Sequence, residues 1–366
     1  MRVLMVTPRF LPDTGGVETH VAEVSRRVAA GGHRVRVLTT DLSGRRPAAE
    51  VVDDVEVRRV RAWPRGADYY FAPDLYPAVS KGDWDVVHVQ SYHTLVAPLA
   101  MAGSLSASIP YVLTFHGGGH SSRVRNALRT PQLLLLRPLL VRAAGLVAVA
   151  AFEIDDYASR LRIARDRFTL VPNGADLPVL RAQGLENAGA GLLIASVGRL
   201  ERYKGHQHVL AAFPHVLRER PEARLWIAGT GTYERKLRAL SERLGVKEKV
   251  DIRAVPAEDR VQMSERLSEA AVVVLASEYE THPIAAIEAA ALGRPLVVSD
   301  TSGLRELADR GLARAVANVG DPESLARALL DEIAAPTTAG RLELPTWDDC
   351  ARDLCALYEQ VRHRAS

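Results

Sequence analysis

The sequence predicts an α/β protein of two domains, each built on a doubly wound parallel sheet. Short apolar segments typical of buried strands alternate with amphipathic segments typical of helices, as in βαβ units. This pattern restarts after VPNGADLPVLRAQGLENAGAG, a stretch rich in Gly, Pro and Asn that we interpret as a linker. The length of 366 residues suffices for two hydrophobic cores.

Both domains show a regular series of predicted strands. Those of the first domain cover residues 2–6, 34–39, 86–89, 111–115, 146–149 and 168–171, with an amphipathic helix over 17–30. Those of the second cover residues 192–197, 224–228, 250–253, 272–275 and 296–298. A final amphipathic helix is predicted over residues 346–363. Because parallel sheets bind ligands at the carboxyl ends of their strands, we expect an active site in a cleft between the domains.

Composition excludes several classes of protein. A formal charge of +3 and the absence of interleaved basic and aromatic residues argue against a nucleic-acid partner. The start MRVLMVTPRF does not have the pattern of a secretion signal. The apolar region 133–152 is interrupted by Arg137, Pro138 and Arg142, which argues against a membrane span. Cys350 and Cys355 would lie on different helix faces, so we expect no disulfide and a cytoplasmic location.

Two glutamates eight positions apart, Glu280 and Glu288, stand in SEYETHPIAAIEAAALG. Pro283 between them predicts a helix start, because proline is favoured at the first helical position. The N–H groups near Ile284 and Ala285 would then form an anion site at the positive end of the helix dipole. The two acids could reach groups on either side of bound phosphates. A nucleotide sugar has this layout of sugar, pyrophosphate and ribose.

Two basic residues follow the predicted strand at 192–197. Gly198 permits a tight exit from that strand, and Arg199 and Lys204 precede a helix predicted to begin near His206. A guanidinium fits two phosphate oxygens, and an ammonium is a mobile point charge. Taken singly, each cation also fits a solvated surface charge. Together with the two glutamates, they indicate a site that neutralises a departing nucleoside diphosphate.

Glycines stand at two strand ends of the first domain. Gly15 and Gly16 precede the helix at 17–30, where the backbone can approach an anion closely, although a plain turn also explains them. His116 follows the strand YVLTF and precedes three glycines, so it fits either a sugar-binding histidine or a structural one. HGGG is also found as an oxyanion loop in α/β-hydrolases, but the chain has no G-x-S-x-G elbow, which argues against a hydrolase.

With these motifs in order, the sequence resembles the retaining glycosyltransferases of family 4 over nearly its whole length. The resemblance rests on PRFLPDTGGVETHVAEVSRRVAAGGHRVRVLT, TFHGGG, VPNGAD, SVGRLERYKGHQHVLAAF, IAGTGTYERKLRALSERLGV and the E-x7-E segment followed by GRPLVVSDTSGLREL. It implies the GT-B fold, with two Rossmann-like domains facing across a cleft. An acceptor-binding domain would span residues 1–180 and a nucleotide-sugar-binding domain 181–345, with a last helix, 346–366, crossing back to the first domain.

The resemblance also implies roles for single residues. Glu280 and His116 would be catalytic residues near the transferred sugar. Nucleotide-sugar binding would involve Gly16, Arg199, Lys204, Ile284, Ala285 and Glu288. Further candidates are Gly15, Asn173 at the domain junction, Arg253 and Val255 beside the base, and His282.

The sequence departs from the family pattern at two places. The usual E-G-F-G is Glu280-Thr281-His282-Pro283 here, so one backbone donor is lost and His282 could contact the transferred sugar. Ala150 replaces a serine that is usual near this position. Neither change removes a charged group of the predicted site.

We therefore expect a retaining glycosyltransferase that needs neither a cofactor nor a metal ion. Its donor would be a nucleotide sugar, a UDP- or GDP-sugar in the first place, and its acceptor a hydroxyl of a small molecule, as in natural-product biosynthesis. Arg199 and Lys204 would take the electrostatic role that a metal has in other transferases. The alternatives are a phosphorylase, which needs a pyridoxal lysine site, and a non-catalytic sugar-binding protein.

A second type of enzyme also remains open, one bound to a membrane surface. The segment over residues 121–145 mixes arginines with leucines and fits either a basic surface for anionic lipid or a helix buried against its domain. The first interpretation would give a transferase acting on a lipid acceptor or on a cell-surface polysaccharide precursor. The second is favoured.

Overall fold

The computed structural model of the protein describes residues 1–13, 15–64, 70–117, 123–175, 192–256, 259–337 and 344–365. These residues form two compact units, each with its own sheet. The first comprises Met1–Gly117, Ser122–Gly174 and Pro345–Ser366, and the second comprises Ala175–Leu344. The domain boundary predicted between residues 180 and 181 lies outside the described residues.

The N-terminal unit is built on an eight-stranded sheet. Its strands are β1 (Arg2–Val6), β2 (Arg34–Asp41), β3 (Ala49–Val52), β4 (Val55–Arg61), β5 (Val86–Gln90), β6 (Tyr111–Thr114), β7 (Gly145–Ala148) and β8 (Phe168–Leu170). Their order is β3-β4-β2-β1-β5-β6-β7-β8, so the direction of winding reverses between β1 and β5. All pairs are parallel except β3 with β4.

The edge of this sheet differs from the sequence prediction, which placed no strands between residues 39 and 86. In β4, VEVRRVR, charged side chains interrupt the valines, so the segment lacks the apolar run typical of a buried parallel strand. Val55, Val57 and Val60 are nevertheless buried. Because β3 returns antiparallel along β4, the sheet is mixed rather than wholly parallel.

Helices of the N-terminal unit connect the strands or pack on them. They are α1 (Gly16–Ala30), α2 (Leu75–Ser80), α3 (Val96–Ser106), α4 (Arg123–Leu140), α5 (Ala151–Leu161) and, from the other end of the chain, α12 (Trp347–Ala365). Arg27 of α1 forms an ion pair with Asp348 of α12 at 2.6 Å. Tyr358 of α12 is fully buried, and its hydroxyl lies 2.6 Å from His88 Nδ1 in β5. The last helix is therefore part of the first unit's core.

The C-terminal unit contains a six-stranded, wholly parallel sheet. Its strands are β9 (Leu193–Val197), β10 (Arg224–Ala228), β11 (Val250–Ile252), β12 (Ala270–Leu275), β13 (Leu296–Ser299) and β14 (Arg314–Val316). Its helices are α6 (His206–Glu219), α7 (Glu234–Arg243), α8 (Arg260–Ser268), α9 (Ile284–Ala291), α10 (Ser302–Asp309) and α11 (Pro322–Ala334). The order β11-β10-β9-β12-β13-β14 reverses between β9 and β12.

Side chains of the central strands alternate between two apolar clusters of this unit. In β10, Leu225 and Ile227 belong to one cluster, whereas Trp226 and Ala228 belong to the other. Successive side chains of a strand point to opposite faces, so both faces of the sheet are buried. This explains why the strands read as continuous apolar runs. The edge strand β14, RAV, was not predicted, because only Val316 of its three residues is buried and the segment lacks an apolar run.

One further prediction concerns membrane spans. In the part of the chain that the structure describes, no helix combines the length and the apolar composition that a span needs.

Candidate active site

The candidate donor site of the C-terminal unit lies where the strand order of its sheet reverses. Gly198 follows β9, and Ala276 follows its neighbour β12, so both loops leave the carboxyl edge of the sheet side by side. In open α/β sheets, ligands bind at such a point. The predicted cations follow the first strand and Glu280 follows the second.

An ion pair joins these two loops. Lys204 Nζ lies 2.6 Å from Glu280 Oε1, and the Ser277 hydroxyl donates to the same oxygen at 2.8 Å. The backbone of Glu280 is also held, because its N–H donates to Ser302 Oγ at 2.9 Å. The two charged side chains are 16% and 13% exposed, so they are partly shielded from water and still accessible. Ser277 and Ser302, which sequence reasoning missed, thus position the carboxylate.

Two glycines permit these close approaches. At Gly205, where φ is +77°, a Cβ atom would lie 1.8 Å from the Ala276 carbonyl oxygen. At Gly303, a Cβ atom would lie 1.6 Å from the Thr281 carbonyl oxygen. Only glycine fits such distances, and only glycine adopts the first backbone conformation without strain. The first contact packs the segment of Lys204 against the loop after β12, and the second packs the start of α10 against the loop of Glu280.

Tyr203 stands beside both predicted cations. Its buried hydroxyl accepts a hydrogen bond from Arg199 Nη2 at 2.5 Å, and Arg199 also pairs with Glu201 at 2.9 Å. The guanidinium carbon and Lys204 Nζ lie 5.9 and 5.3 Å from the centre of the Tyr203 ring. Such cation–π contacts favour the two charges near each other. Burial also raises the pKa of Tyr203, which keeps its hydroxyl neutral.

Helix α9 begins at Ile284, one residue after the predicted start. Pro283 is extended, with ψ at 102°, and therefore precedes the helix rather than forming its first residue. Its carbonyl accepts the N–H groups of Ala286 and Ile287. The N–H groups of Ile284 and Ala285 come before this first turn of hydrogen bonds and have no partner within the helix. These are the two N–H groups that were predicted from the sequence to form a backbone anion site.

Glu288 lies one turn inside α9 and forms an ion pair with Arg260, the first residue of α8. Its side chain is 5% exposed, whereas that of Arg260 is 30% exposed. A ligand hydroxyl that reaches this carboxylate must share it with a guanidinium. The sequence held no signal for Arg260, because 28 positions separate the partners.

The remaining candidates of this unit have different surroundings. The backbone of Arg253 is engaged on both sides: its N–H donates to Ile227, and its carbonyl accepts from Trp226 Nε1 at 3.0 Å. Its side chain is exposed beside Asp251. Val255 packs against an apolar cluster, and His282 is half-buried in the loop before α9.

In the N-terminal unit, His116 follows β6 with an unusual backbone. It has φ of +44° and is 7% exposed. Its Nε2 lies 2.7 Å from Gln90 Oε1, at the end of the neighbouring strand β5. Because the amide oxygen accepts, Nε2 carries the proton and Nδ1 is an acceptor suited to a hydroxyl. Burial holds the pKa of His116 well below its usual value, so the ring is neutral at pH 7.

A second histidine packs beside the first. His20 of α1 lies with its ring centre 4.6 Å from that of His116 and is also buried. Its Nδ1 is 2.9 Å from Asn173 Oδ1. Burial lowers the pKa of His20 to about 4. The candidate Asn173 thus has a structural contact in addition to any contact with a ligand.

Gly16 is the first residue of α1 and Gly15 precedes it. Apart from the adjoining residues and the backbone of its own helix, a Cβ atom on Gly16 would meet no atom within 4 Å, so packing does not require glycine there. At Gly15, the Cβ atom would meet only the flexible end of Glu18, at 2.5 Å. The space above Gly16 is consistent with the close approach of a ligand.

Glu153 is a buried acid near His116 that sequence reasoning missed. Its carboxylate accepts the N–H of Gly117 at 2.9 Å and that of Val149 at 3.0 Å. It lies in the first turn of α5, three residues after Ala150, whose side chain cannot cap the helix. Here the acid binds backbone N–H groups next to the helix start. The second and third glycines of HGGG lie outside the described residues.

Family models match both units. The model described as Glycosyltransferase Family 4 matches residues 14–178, and the model described as Glycosyl transferases group 1 matches residues 182–342.

Individual proteins are similar over nearly the whole chain. A glycogen synthase of Mycobacterium tuberculosis is 31% identical, covering 93% of this chain and 89% of its own. A D-inositol 3-phosphate glycosyltransferase of Catenulispora acidiphila is 29% identical, covering 95% and 91%. Anabaena HepE, solved in complex with UDP-glucose, superposes with a TM-score of 0.75 at 17% identity, covering 100% and 99%. With two Rossmann-like sheets and these neighbours, the predicted GT-B fold class is confirmed.

Proposed function

Because the chain belongs to glycosyltransferase family 4 and is a glycosyltransferase, we propose that it transfers a sugar from a nucleotide sugar to a hydroxyl of a small-molecule acceptor, with retention of configuration and without a metal ion. One observation carries this proposal. Lys204 and Glu280 are paired at the switch point of the C-terminal sheet, beside Arg199 and the start of α9. The site thus offers positive charge for a diphosphate and a carboxylate for sugar hydroxyls.

Departure of the nucleoside diphosphate is the step that this charge assists. Negative charge grows on the diphosphate as its bond to the sugar breaks, and fixed positive groups stabilise it. Lys204 has three N–H donors and uses one for Glu280, so two can reach phosphate oxygens. Arg199 and the N–H groups of Ile284 and Ala285 add to this stabilisation.

Glu280 and His116 each offer a hydrogen-bond acceptor suited to a sugar hydroxyl. Glu280 accepts from sugar hydroxyls, and the neutral His116 ring accepts through Nδ1. In the retaining mode typical of the family, the acceptor attacks from the side of the departing phosphate, which takes up the acceptor's proton. Glu280 then orients the sugar and does not attack it. Mass spectrometry of the protein with a slow fluorinated donor checks this, since a glycosyl adduct on Glu280 is the outcome that refutes it.

Metal independence is part of the proposal. The chain contains one D-x-D sequence, Asp83-Trp84-Asp85, the type of motif that holds a metal in other transferases. Both of its carboxylates pair with Arg2 at the amino end of β1, on the edge of the sheet opposite His116. We therefore expect equal turnover with EDTA and with added Mg²⁺ or Mn²⁺, measured as release of nucleoside diphosphate. Loss of turnover with EDTA, restored by metal, contradicts this part.

The donor can be identified by a thermal-shift screen against UDP-, GDP-, ADP- and dTDP-sugars. A ligand present at a hundred times its dissociation constant raises the free energy of unfolding by about 2.7 kcal/mol. We expect one nucleotide to stabilise the wild type and to stabilise Lys204→Ala far less. Equal stabilisation of both proteins, or of neither, argues against the proposed donor site. UDP-glucose is the first donor to try, because HepE binds it.

Support for a small acceptor comes from the relative named as acting on D-inositol 3-phosphate. A lipid acceptor is the second candidate, favoured by the exposed part of α4. There, Leu134 and Leu135 are 48% and 80% exposed, whereas Leu133 and Leu136 are buried. Co-sedimentation with vesicles containing anionic lipid separates the candidates. Binding by the wild type that Leu134→Ser/Leu135→Ser abolishes supports the lipid acceptor, and no binding supports the soluble acceptor.

A further inference from the structure

Glu153 combines complete burial with two hydrogen bonds to separate backbone segments. Its carboxylate oxygens accept the N–H of Gly117 at 2.9 Å and that of Val149 at 3.0 Å. The side chain belongs to a residue with 0% exposure. A buried carboxylate is costly unless it is hydrogen-bonded. Its presence therefore needs an explanation beyond packing, since an apolar side chain would fill the space.

The two N–H groups follow neighbouring strands. Gly117 comes three residues after the end of β6, and Val149 directly follows β7, to which β6 pairs. Glu153 thus connects two loops at the carboxyl edge of the sheet, the edge at which such sheets bind ligands. His116 stands between β6 and the first of these contacts.

Glu153 binds a segment whose backbone conformation is strained and needs support from surrounding contacts. His116 has φ of +44°, in the left-handed region where a residue other than glycine is strained. Such a conformation persists only where surrounding contacts determine it. On one side, His116 Nε2 binds Gln90; on the other, the next N–H binds Glu153.

We propose that Glu153 is a positioning residue for sugar transfer, whose carboxylate holds the turn after β6 so that the His116 ring is presented to the sugar. The inference rests on the proposed function for the role of His116. The hydrogen bonds of the turn do not depend on the proposed function and can be tested separately.

The charge on Glu153 sets how strongly the turn is held, because hydrogen bonds to an ionised carboxylate are shorter and stronger. Burial raises the pKa of Glu153 to about 7, against the effect of its backbone hydrogen bonds. Asp156 on its own helix and Tyr92 beyond β5 interact electrostatically with Glu153, and His116 directly precedes Gly117 on the turn. Asp156 raises the pKa of Glu153 further, whereas Tyr92 and His116 both stay neutral near pH 7 because burial shifts their own pKa values away from it.

The first test follows the backbone N–H groups of Gly117 and Val149 by NMR between pH 5.5 and 8.5. In the wild type, both N–H resonances should shift with one common inflection near pH 7, and in Glu153→Gln neither should. The glutamine can accept one N–H, but its amide group cannot accept the other. Resonances of the His116 ring should also change in this variant. Fast hydrogen exchange of the Gly117 N–H in the wild type overturns the proposal even if no variant folds, because that N–H would then lack the hydrogen bond to Glu153.

Glu332→Gln is the matched control. Glu332 is also fully buried and accepts hydrogen bonds from Arg314 and Thr337, but it belongs to the C-terminal unit. We expect Glu332→Gln to leave the His116 ring resonances unchanged. If the two variants change them equally, or if neither changes them, Glu153 has no specific part in positioning His116.

Kinetics give the second test, using the donor that the thermal-shift screen identifies. Misplacement of a group near the sugar lowers the rate by up to about 100-fold. We expect Glu153→Gln to lower kcat at least tenfold, leave the donor KM unchanged and remove the part of the pH profile with an inflection near 7. A wild-type kcat overturns the proposal. If the wild type turns over no donor at all, the proposed function fails and the NMR result alone decides this inference.

Discussion

The candidate groups of the two units lie under opposite electrostatic conditions. In the C-terminal unit, Lys204 and Glu280 form an ion pair with each other, and both side chains retain contact with water. In the N-terminal unit, His20, His88 and His116 are buried and lack an acidic partner in the described contacts, so burial lowers each pKa and keeps each ring neutral.

The difference matches the two demands of sugar transfer. A departing diphosphate needs positive charge, which must be held by a carboxylate until the ligand arrives. A sugar hydroxyl needs only a hydrogen-bond acceptor of fixed orientation, for which a neutral ring suffices. Burial keeps a hydrogen-bond acceptor neutral and fixed, but it would remove the positive charge, because burial disfavours the charged form of a group. Four predictions test this contrast.

The largest effect is expected for Lys204→Ala. Loss of one fixed donor to a developing oxyanion costs on the order of 10²–10³ in kcat, and Glu280 also loses its cation. Nucleoside diphosphate release measures the effect, and circular dichroism checks folding. Lys247→Ala serves as the control, because Lys247 forms an exposed ion pair with Glu242 in the same unit. A folded Lys204→Ala protein with wild-type turnover contradicts the assignment of the cationic site.

Next in size is the effect of His116→Ala. Leaving a bound sugar hydroxyl without its hydrogen-bond acceptor costs roughly 1–3 kcal/mol, which corresponds to about 5- to 150-fold in kcat. Burial keeps the ring itself neutral near pH 7, so a change of this loss with pH should come from Glu153, which holds the turn of His116, and should be absent when the loss is measured in Glu153→Gln. His363→Ala, at the exposed end of α12, is the control. A loss that still varies with pH in Glu153→Gln would show that the ring titrates in the active protein.

The third prediction concerns stability in acid. Burial lowers the pKa of His88 to about 3, whereas the unfolded ring takes up a proton below its ordinary value of about 6.5. The unfolded state then binds more protons, so the contribution to stability is complete above pH 6.5 and is lost as pH falls towards 3. His88→Gln should reduce the pH dependence of the unfolding free energy by up to about 1.4 kcal/mol per pH unit between pH 6 and 4.

Urea unfolding of the two proteins at pH 7 and pH 5 measures this difference, and hydrogen exchange assigns it to the N-terminal unit. Glu153 contributes with the opposite sign between its unfolded pKa and about 7, but it is present in both proteins and cancels in the comparison. Equal pH dependence in the wild type and in His88→Gln would mean that the buried ring already carries a proton.

Gly16→Ala should have the smallest effect on stability. Apart from the adjoining residues and the backbone of its own helix, no atom lies within 4 Å of the added methyl group, so we expect a change within about 1 kcal/mol. The donor KM should rise if the phosphates approach this backbone. Gly205→Ala gives the contrast, because its methyl group would overlap the Ala276 carbonyl and should destabilise the protein strongly. An unchanged KM in Gly16→Ala removes Gly16 from the donor site.

The parts of the fold and site that the sequence revealed are those with local signals. Arg199 and Lys204 stand between an apolar strand and a helix start, and Pro283 marks the beginning of α9 within one residue. The central strands were predicted because burial on both faces demands continuous apolar runs. At the mixed edge, β4 escaped prediction because its arginines interrupt the valines.

Contacts between distant segments gave no such signal. Glu153 reaches Gly117 across 36 positions, His20 reaches Asn173 across 153, and Lys204 reaches Glu280 across 76. Of these pairs, only Lys204 and Glu280 were predicted to belong to one site, and their direct ion pair was not predicted. Spacing along the chain carries no information about such pairs until the sheet order is known.

The position of α12 has a consequence for synthesis of the protein. Its Trp347 and Tyr358 are fully buried in a unit whose other residues all precede residue 175. Domains of a nascent chain generally fold in the order in which they leave the ribosome. Here the unit that emerges first must wait for the last helix, and the unit translated in between can finish ahead of it. A premature stop codon near residue 345 would therefore damage the half of the protein that was made at the beginning.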